Sequence, residues 1–196
     1  MTTGPDGIAV VDKPAGCTSH DVVARARRTL GTRKVGHAGT LDPDATGVLV
    51  LGVGRATRLL RYLGDLPKSY RGEVVLGVAT STLDASGDVV ATADLSGVTL
   101  TEARAAAAGL TGELQQVPPM VSALKVGGRR LHELAREGVE VERAPRPVTV
   151  TRFAVEGPVA PGPVFAIEVD CSPGTYVRSL AADLGAALGG PAHLRA

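Results

Sequence analysis

Asp42 and Asp44 flank a proline in the stretch KVGHAGTLDPDATGVLVLGVGRATR, residues 34–58, which also carries His37. A carboxylate held on a rigid loop beside a buried strand can serve as nucleophile or general base. Pro43 biases Asp42 toward extended backbone and fixes the turn. Gly36 and Gly39 let the chain pass close to another molecule. Asp-Pro is equally an ordinary turn starter, and composition by itself favours that plainer role. Asp44, on the far side of the proline, is read as solvent-facing. His37, between glycine and alanine, is expected to be exposed, as general base, metal ligand or nucleic-acid contact. No cysteine or carboxylate lies at ligand spacing, so no metal is expected.

Two further residues invite chemistry. Tyr70 opens a strand after LPKS, a position more often used for packing. Arg178 follows SPGTY at the start of a helix, where the dipole repels a cation, so a carboxylate or phosphate partner is expected nearby. Asp42 is one candidate for that partner. Cys17 and Cys171 are read as reduced thiols, the latter on a core face. His20, His132 and His193 fall on helices or the tail and are read as structural. No GxSxG, HExxH or P-loop pattern occurs.

Several elements must position these residues. GIAVVDKP reads as a strand ended by Pro14. TSHDVVARARRTLG reads as a helix capped by Thr18 or Ser19, with Val22, Val23, Ala26 and Leu30 as its apolar stripe and Gly31 as its stop. GVLVLGVG is a buried strand, followed by a short helix. SYRGEVVLGVATSTLD and GDVVATAD read as a hairpin closed by TLDASGD; Asp84 and Asp88 there are turn residues, without the spacing of a calcium loop. Thr99 and Glu102 form a capping box for an alanine-rich helix. GELQQ is a strand broken by Pro118 and Pro119, leading through a flexible basic loop into a helix closed by Gly138. Phe165, Ile167, Val169 and Cys171 alternate with polar positions, and Leu180, Leu184 and Leu188 recur at helical spacing. The order lacks a regular βαβ rhythm, which implies an α+β fold with a central mixed, mainly antiparallel sheet flanked by helices and loops.

With 196 residues and 44% hydrophobic content the chain can bury a real core. No apolar run approaches a membrane span, and the N-terminus has no secretory pattern, so a cytoplasmic protein without membrane contact is expected. Net charge is +1, but Arg25, Arg27, Arg28, Arg33 and Lys34 cluster, as do Lys125, Arg129 and Arg130, then Arg143 and Arg146. Such local patches can bind a polyanion or be merely solvated. Three Tyr, two Phe and no Trp exclude a multi-base stacking platform. An RNA ligand would be read by backbone and shape.

Five segments, DKPAGCTSHDVV, KVGHAGTLDPDATGVLVLGVGRATR, KSYRGEVVLG, VPPMVSALKVGGRRLHELAREG and CSPGTYVRSLAADLG, resemble the TruB-type tRNA pseudouridine-55 synthases, in order and over nearly the whole chain. The resemblance implies a pseudouridine synthase fold and isomerisation of one uridine in the T-arm of tRNA, with no cofactor and no metal. It implies that Asp42 is the catalytic aspartate, acting at the ribose C1′ or on the 2′ proton. Tyr70 is expected to stack on the target base and help remove the C5 proton. Arg178 is expected to pair with Asp42, since a guanidinium favours the charged carboxylate. His37 is expected to fill the space the uridine leaves. Lys13 and Pro14 match the KP motif and are expected to contact the RNA substrate, Tyr176 matches a wall of the pocket, and Lys125, Arg129 and Arg130 lie in a segment, 122–146, that resembles the RNA-gripping insertion. The target base must be flipped out to be reached. Family members continue past AHL into a Leu-Arg-Arg segment and a PUA-type domain. The expected plan is therefore one catalytic domain over residues 1–196, lacking its last segment and that second domain, and acting as a monomer.

Two other functions use the same features. A non-catalytic chaperone that refolds tRNA would need only the basic patches. A nucleoside hydrolase would use the same carboxylate on free uridine, and the basic clusters weigh against it.

Overall fold

The computed structural model describes residues 4–196, so the first three residues of the stretch read for a secretory signal lie outside the described residues. Contacts divide the chain into two compact units, one ending at Leu66 and one beginning at Pro67.

In the first unit, strand β1 (Gly7–Lys13) leads to helix α1 (Ser19–Thr29), strand β2 (Val35–His37), strand β3 (Gly47–Val53), a 3-10 turn over Gly54–Leu59 and helix α2 (Leu60–Gly64). The three strands form an antiparallel sheet in the order β1-β3-β2. Thr18 caps α1 and exchanges bonds with Asp21 in a capping box. Val23, Val35, Leu49, Leu51 and Val53 make this unit's core, with Val22 and Ala26 packed against it. Leu30, expected in the stripe, is 37% exposed. It is the C-cap residue, past the last turn that faces the sheet. Gly36 is close-packed inside the unit, because a Cβ there would meet Leu60 Cδ1 at 3.0 Å. This corrects the expectation that it leaves room for another molecule.

In the second unit come β4 (Lys68–Leu76), β5 (Val78–Thr80), β6 (Val89–Thr92), α3 (Leu100–Gly109), β7 (Gly112–Gln116), β8 (Lys125–Val126), β9 (Arg129–Arg130), α4 (Leu131–Arg136), β10 (Arg146–Ala160), β11 (Val164–Cys171), α5 (Val177–Ala187) and β12 (Ala192–Leu194). The main sheet runs β12-β4-β11-β10-β7, with every neighbouring pair antiparallel. Parallel pairing occurs only as an isolated bridge, Asp84 to Leu194, among the described residues.

Alternation gives the main sheet two unlike faces. One buries Val74, Phe153, Val155, Ile167 and Val169 with Leu180 and Leu184 of α5 and Ala103 and Ala107 of α3. Each large apolar side chain so buried contributes about 1.5–3 kcal/mol. The other face is charged: Glu168 meets Arg71 at 2.9 Å and Arg152 at 2.6 Å. The Thr99–Glu102 capping box forms as expected. The predicted hairpin does not start at residue 69. β4 joins the main sheet, and the chain breaks at Gly77 (φ +85), so that only β5 and β6 pair in the hairpin. The basic segment is a tight hairpin, β8 with β9, around Gly127 and Gly128 at φ +58 and +84. Among the described residues no helix is long and apolar enough to cross a membrane.

Candidate active site

In the first unit Asp42 is exposed, at the start of a turn in which its C=O accepts from the Ala45 N–H at 3.1 Å. The chain is pinned on both sides of it. Ahead, buried Ser19 accepts from the Leu41 N–H at 3.0 Å. Behind, the Pro43 C=O accepts from the Gly16 N–H at 3.0 Å and from Lys13 Nζ at 2.9 Å. Asp42 therefore sits on a loop whose neighbours are both held, as a preorganised carboxylate requires. Asp44 is exposed, as read from the sequence.

Lys13, assigned to RNA by the resemblance, is 0% exposed. Its ammonium also donates to the carbonyls of Pro14 at 2.9 Å and Cys17 at 2.7 Å, so it is fully engaged inside the unit. A buried ammonium needs this kind of compensation. Pro14 is exposed beside it. His37 ends β2 and is half-buried, which corrects the expectation of exposure. Its ring lies edge-on to His20, 5.2 Å between centroids. Nδ1 is buried with no hydrogen-bond partner among the described residues. Burial holds its pKa below the ordinary value, so the ring is neutral at pH 7.

In the second unit Tyr70 is half-buried on β4, opposite Val169 of β11 and packed against the core. Tyr176 is the N-cap of α5 and Arg178 lies in its first turn, buried at 4% exposure. The Arg178 guanidinium donates to the Thr82 C=O at 2.9 Å and the Val121 C=O at 3.0 Å, and lies 3.4 Å from the Asp84 carboxylate. The countercharge that helix electrostatics demanded is thus present in this unit. It comes from a residue read only as a turn former. Asp84 itself accepts from Thr82 Oγ1, Ser86 Oγ and the Ser86 N–H. Burial pushes its carboxyl up, but these bonds and Arg178 more than reverse the effect and hold its pKa low.

Lys125 and Arg130 face each other across the exposed β8–β9 hairpin, while Arg129 pairs with Glu137. The segment is anchored by buried Leu131 and Leu134 and by Arg143, which donates to the Pro118 C=O at 3.1 Å. Among the described residues no three His, Cys, Asp or Glu side chains converge as a metal site would need.

Residues 27–177 match the TruB family pseudouridylate synthase, N terminal domain. A protein of Rhodococcus jostii called tRNA pseudouridine synthase B is 60% identical over 184 residues, covering 93% of this chain and 60% of that protein. The chain therefore spans about three fifths of that relative's length. The crystal structure of a Cbf5-Nop10-Gar1 complex contains a chain that superposes with a TM-score of 0.71 at 31% identity, over 96% of this chain and 47% of that one. An H/ACA RNP bound to a substrate RNA containing 2′-deoxyuridine gives 0.67 at 29% identity, over 96% and 46%.

Proposed function

Because the chain belongs to the TruB family of pseudouridylate synthases, we propose that it isomerises a uridine in the T-arm of tRNA to pseudouridine, acting as a monomer with Asp42 as its catalytic carboxylate. The observation that carries the reading is the held loop: Asp42 is exposed while Leu41 and Pro43 on either side are fixed by Ser19, Gly16 and Lys13. The α+β architecture with antiparallel sheets is that of the pseudouridine synthase fold.

In this reading the uridine is flipped out of its loop. Asp42 either attacks C1′ or takes the 2′ proton. Either way the N1–C1′ bond breaks and the uracil leaves with the bonding pair. The base turns so that C5 faces C1′, and the new C5–C1′ bond forms as Asp42 leaves C1′ or, on the second route, returns the proton to C2′; the C5 proton is then lost and N1 gains one. Nothing is consumed, so no cofactor is required. Tyr70 stacks on the base and helps remove the C5 proton. Arg178 supplies positive charge for the catalytic carboxylate, and Tyr176 walls the pocket. Neutral His37 suits filling an apolar gap in the RNA stack. Lys125, Arg129 and Arg130 supply charge to phosphates, which position the RNA without reading sequence. For Lys13 the proposal changes: burial suits it to holding the Asp42 loop, with no contact to RNA.

The test uses a T-arm stem-loop labelled with tritium at uridine C5. Isomerisation releases the label to water. The 196-residue chain and the full product of its gene are both assayed. Release by neither would overturn the reading.

A further inference from the structure

Gln116, the last residue of β7, is a polar side chain only 3% exposed. Its Oε1 accepts from the Tyr176 N–H at 2.8 Å, and its Nε2 donates to the Tyr176 C=O at 3.1 Å. Two bonds to the N–H and C=O of one residue fix that residue's backbone as a neighbouring strand would. Tyr176 makes no side-chain capping bond of its own at the start of α5. The same carbonyl also accepts from the Leu180 N–H at 3.1 Å, so Gln116 and the first turn of the helix share it. Close by, Ser179 Oγ donates to the Val117 C=O at 3.2 Å, and Arg178 donates to the Val121 C=O. The chain leaving β7 and the first turn of α5 are thereby locked together, with Gln116 at the front of the lock.

We propose that Gln116 is a positioning residue for the isomerisation, which sets the direction of the Tyr176 ring and the Arg178 guanidinium by gripping the backbone of Tyr176. This rests on the pseudouridine synthase reading above. The grip requires one donor and one acceptor in fixed geometry. At neutral pH an amide offers both, a carboxylate offers acceptors only, and a thioether offers neither of useful strength.

That chemistry supplies its own test. In Gln116→Glu the protonated acid donates to the Tyr176 C=O and accepts from its N–H, restoring both bonds, whereas the ionised form sets an oxygen against a carbonyl. Single-turnover rates at saturating T-arm RNA are measured against pH for wild type, Gln116→Glu and Gln116→Met, normalised to folded protein. Misplacement on this scale lowers kcat by about 10- to 100-fold in Gln116→Met, with KM for RNA changed less than about threefold. Burial of position 116 raises the pKa of a glutamic acid placed there, so Gln116→Glu is expected near the wild-type rate at about pH 5 and about tenfold below wild type at the same pH by about pH 8. A purely structural role would lower the melting temperature but leave the rate per folded molecule and its pH profile as in wild type, and that result would overturn the proposal. If Gln116→Met does not fold, the two ends of the Gln116→Glu profile decide. Wild type that makes no pseudouridine would overturn the isomerase reading and the proposal together; active wild type with an indistinguishable Gln116→Glu profile would overturn the proposal alone.

Discussion

Replacing Lys13 by Met keeps the length of a fully buried side chain and removes its charge. The ammonium donates to three carbonyls at 2.7–2.9 Å. Charge-assisted bonds of this kind are offset by the cost of burying the charge, so their sum is a poor guide. The better measure is what the substitution leaves behind. The Pro43 C=O keeps the Gly16 N–H and the Pro14 C=O keeps the Cys17 thiol at 3.5 Å, while the Cys17 carbonyl loses its ammonium donor. A carbonyl left unpaired away from water costs about 1–3 kcal/mol, so Lys13→Met is expected to destabilise the first unit by about that much. Because Pro43 follows Asp42 directly, the single-turnover rate should also fall at least about tenfold. Urea denaturation and rapid-quench tritium release measure the two effects. A lysine that instead touched an RNA phosphate would leave the urea midpoint unchanged and reduce the salt slope of RNA binding by about 0.7–0.9. An unchanged midpoint with a reduced slope would refute the positioning role.

Other outcomes follow from the same geometry. Asp84→Asn removes the countercharge 3.4 Å from Arg178 and should lower kcat by about 10- to 100-fold with RNA affinity little changed. Asp88→Asn serves as the turn control in the same assay. His37 has a folded pKa below its unfolded value of about 6.5, so its contribution to stability is complete above that pH and is lost as pH falls through the folded pKa. His37→Gln should remove part of the acid-side slope in a melting-temperature series from about pH 7 to 5, and an unchanged slope would count against it. Lys125→Gln with Arg130→Gln should reduce the slope of log K against log salt by about 0.7–0.9 for each phosphate these side chains neutralise. A slope equal to wild type would remove the hairpin from the RNA interface.

Much of the fold was legible because local chemistry dictated it. Thr18 with Asp21 and Thr99 with Glu102 cap their helices through bonds between residues three apart. Phe165 to Cys171 alternates because one face of β11 meets the core and the other meets water. Longer-range facts were not legible. Nothing around Lys13 announces that three carbonyls will converge on it. The 82–88 turn reads as an ordinary hairpin tip, yet it delivers Asp84 to Arg178. β2 is three residues long and lies inside a glycine-rich stretch, too short for periodicity to reveal. Gln116 lies in a polar strand end with no local pattern at all; its role depends on α5, sixty residues on. The one long-range demand that sequence reasoning did raise came from electrostatics: an arginine against a helix dipole needs an anion.

The most direct test of the account is Asp42→Asn. The substitution keeps the size of the side chain and removes the carboxylate that is to act at the ribose. The variant is predicted to bind the T-arm stem-loop with wild-type affinity and to melt as wild type does, while tritium release from uridine C5 is abolished. Release at a rate within about tenfold of wild type would contradict the catalytic role of Asp42, since removal of the reacting group itself should cost far more than removal of an auxiliary hydrogen bond.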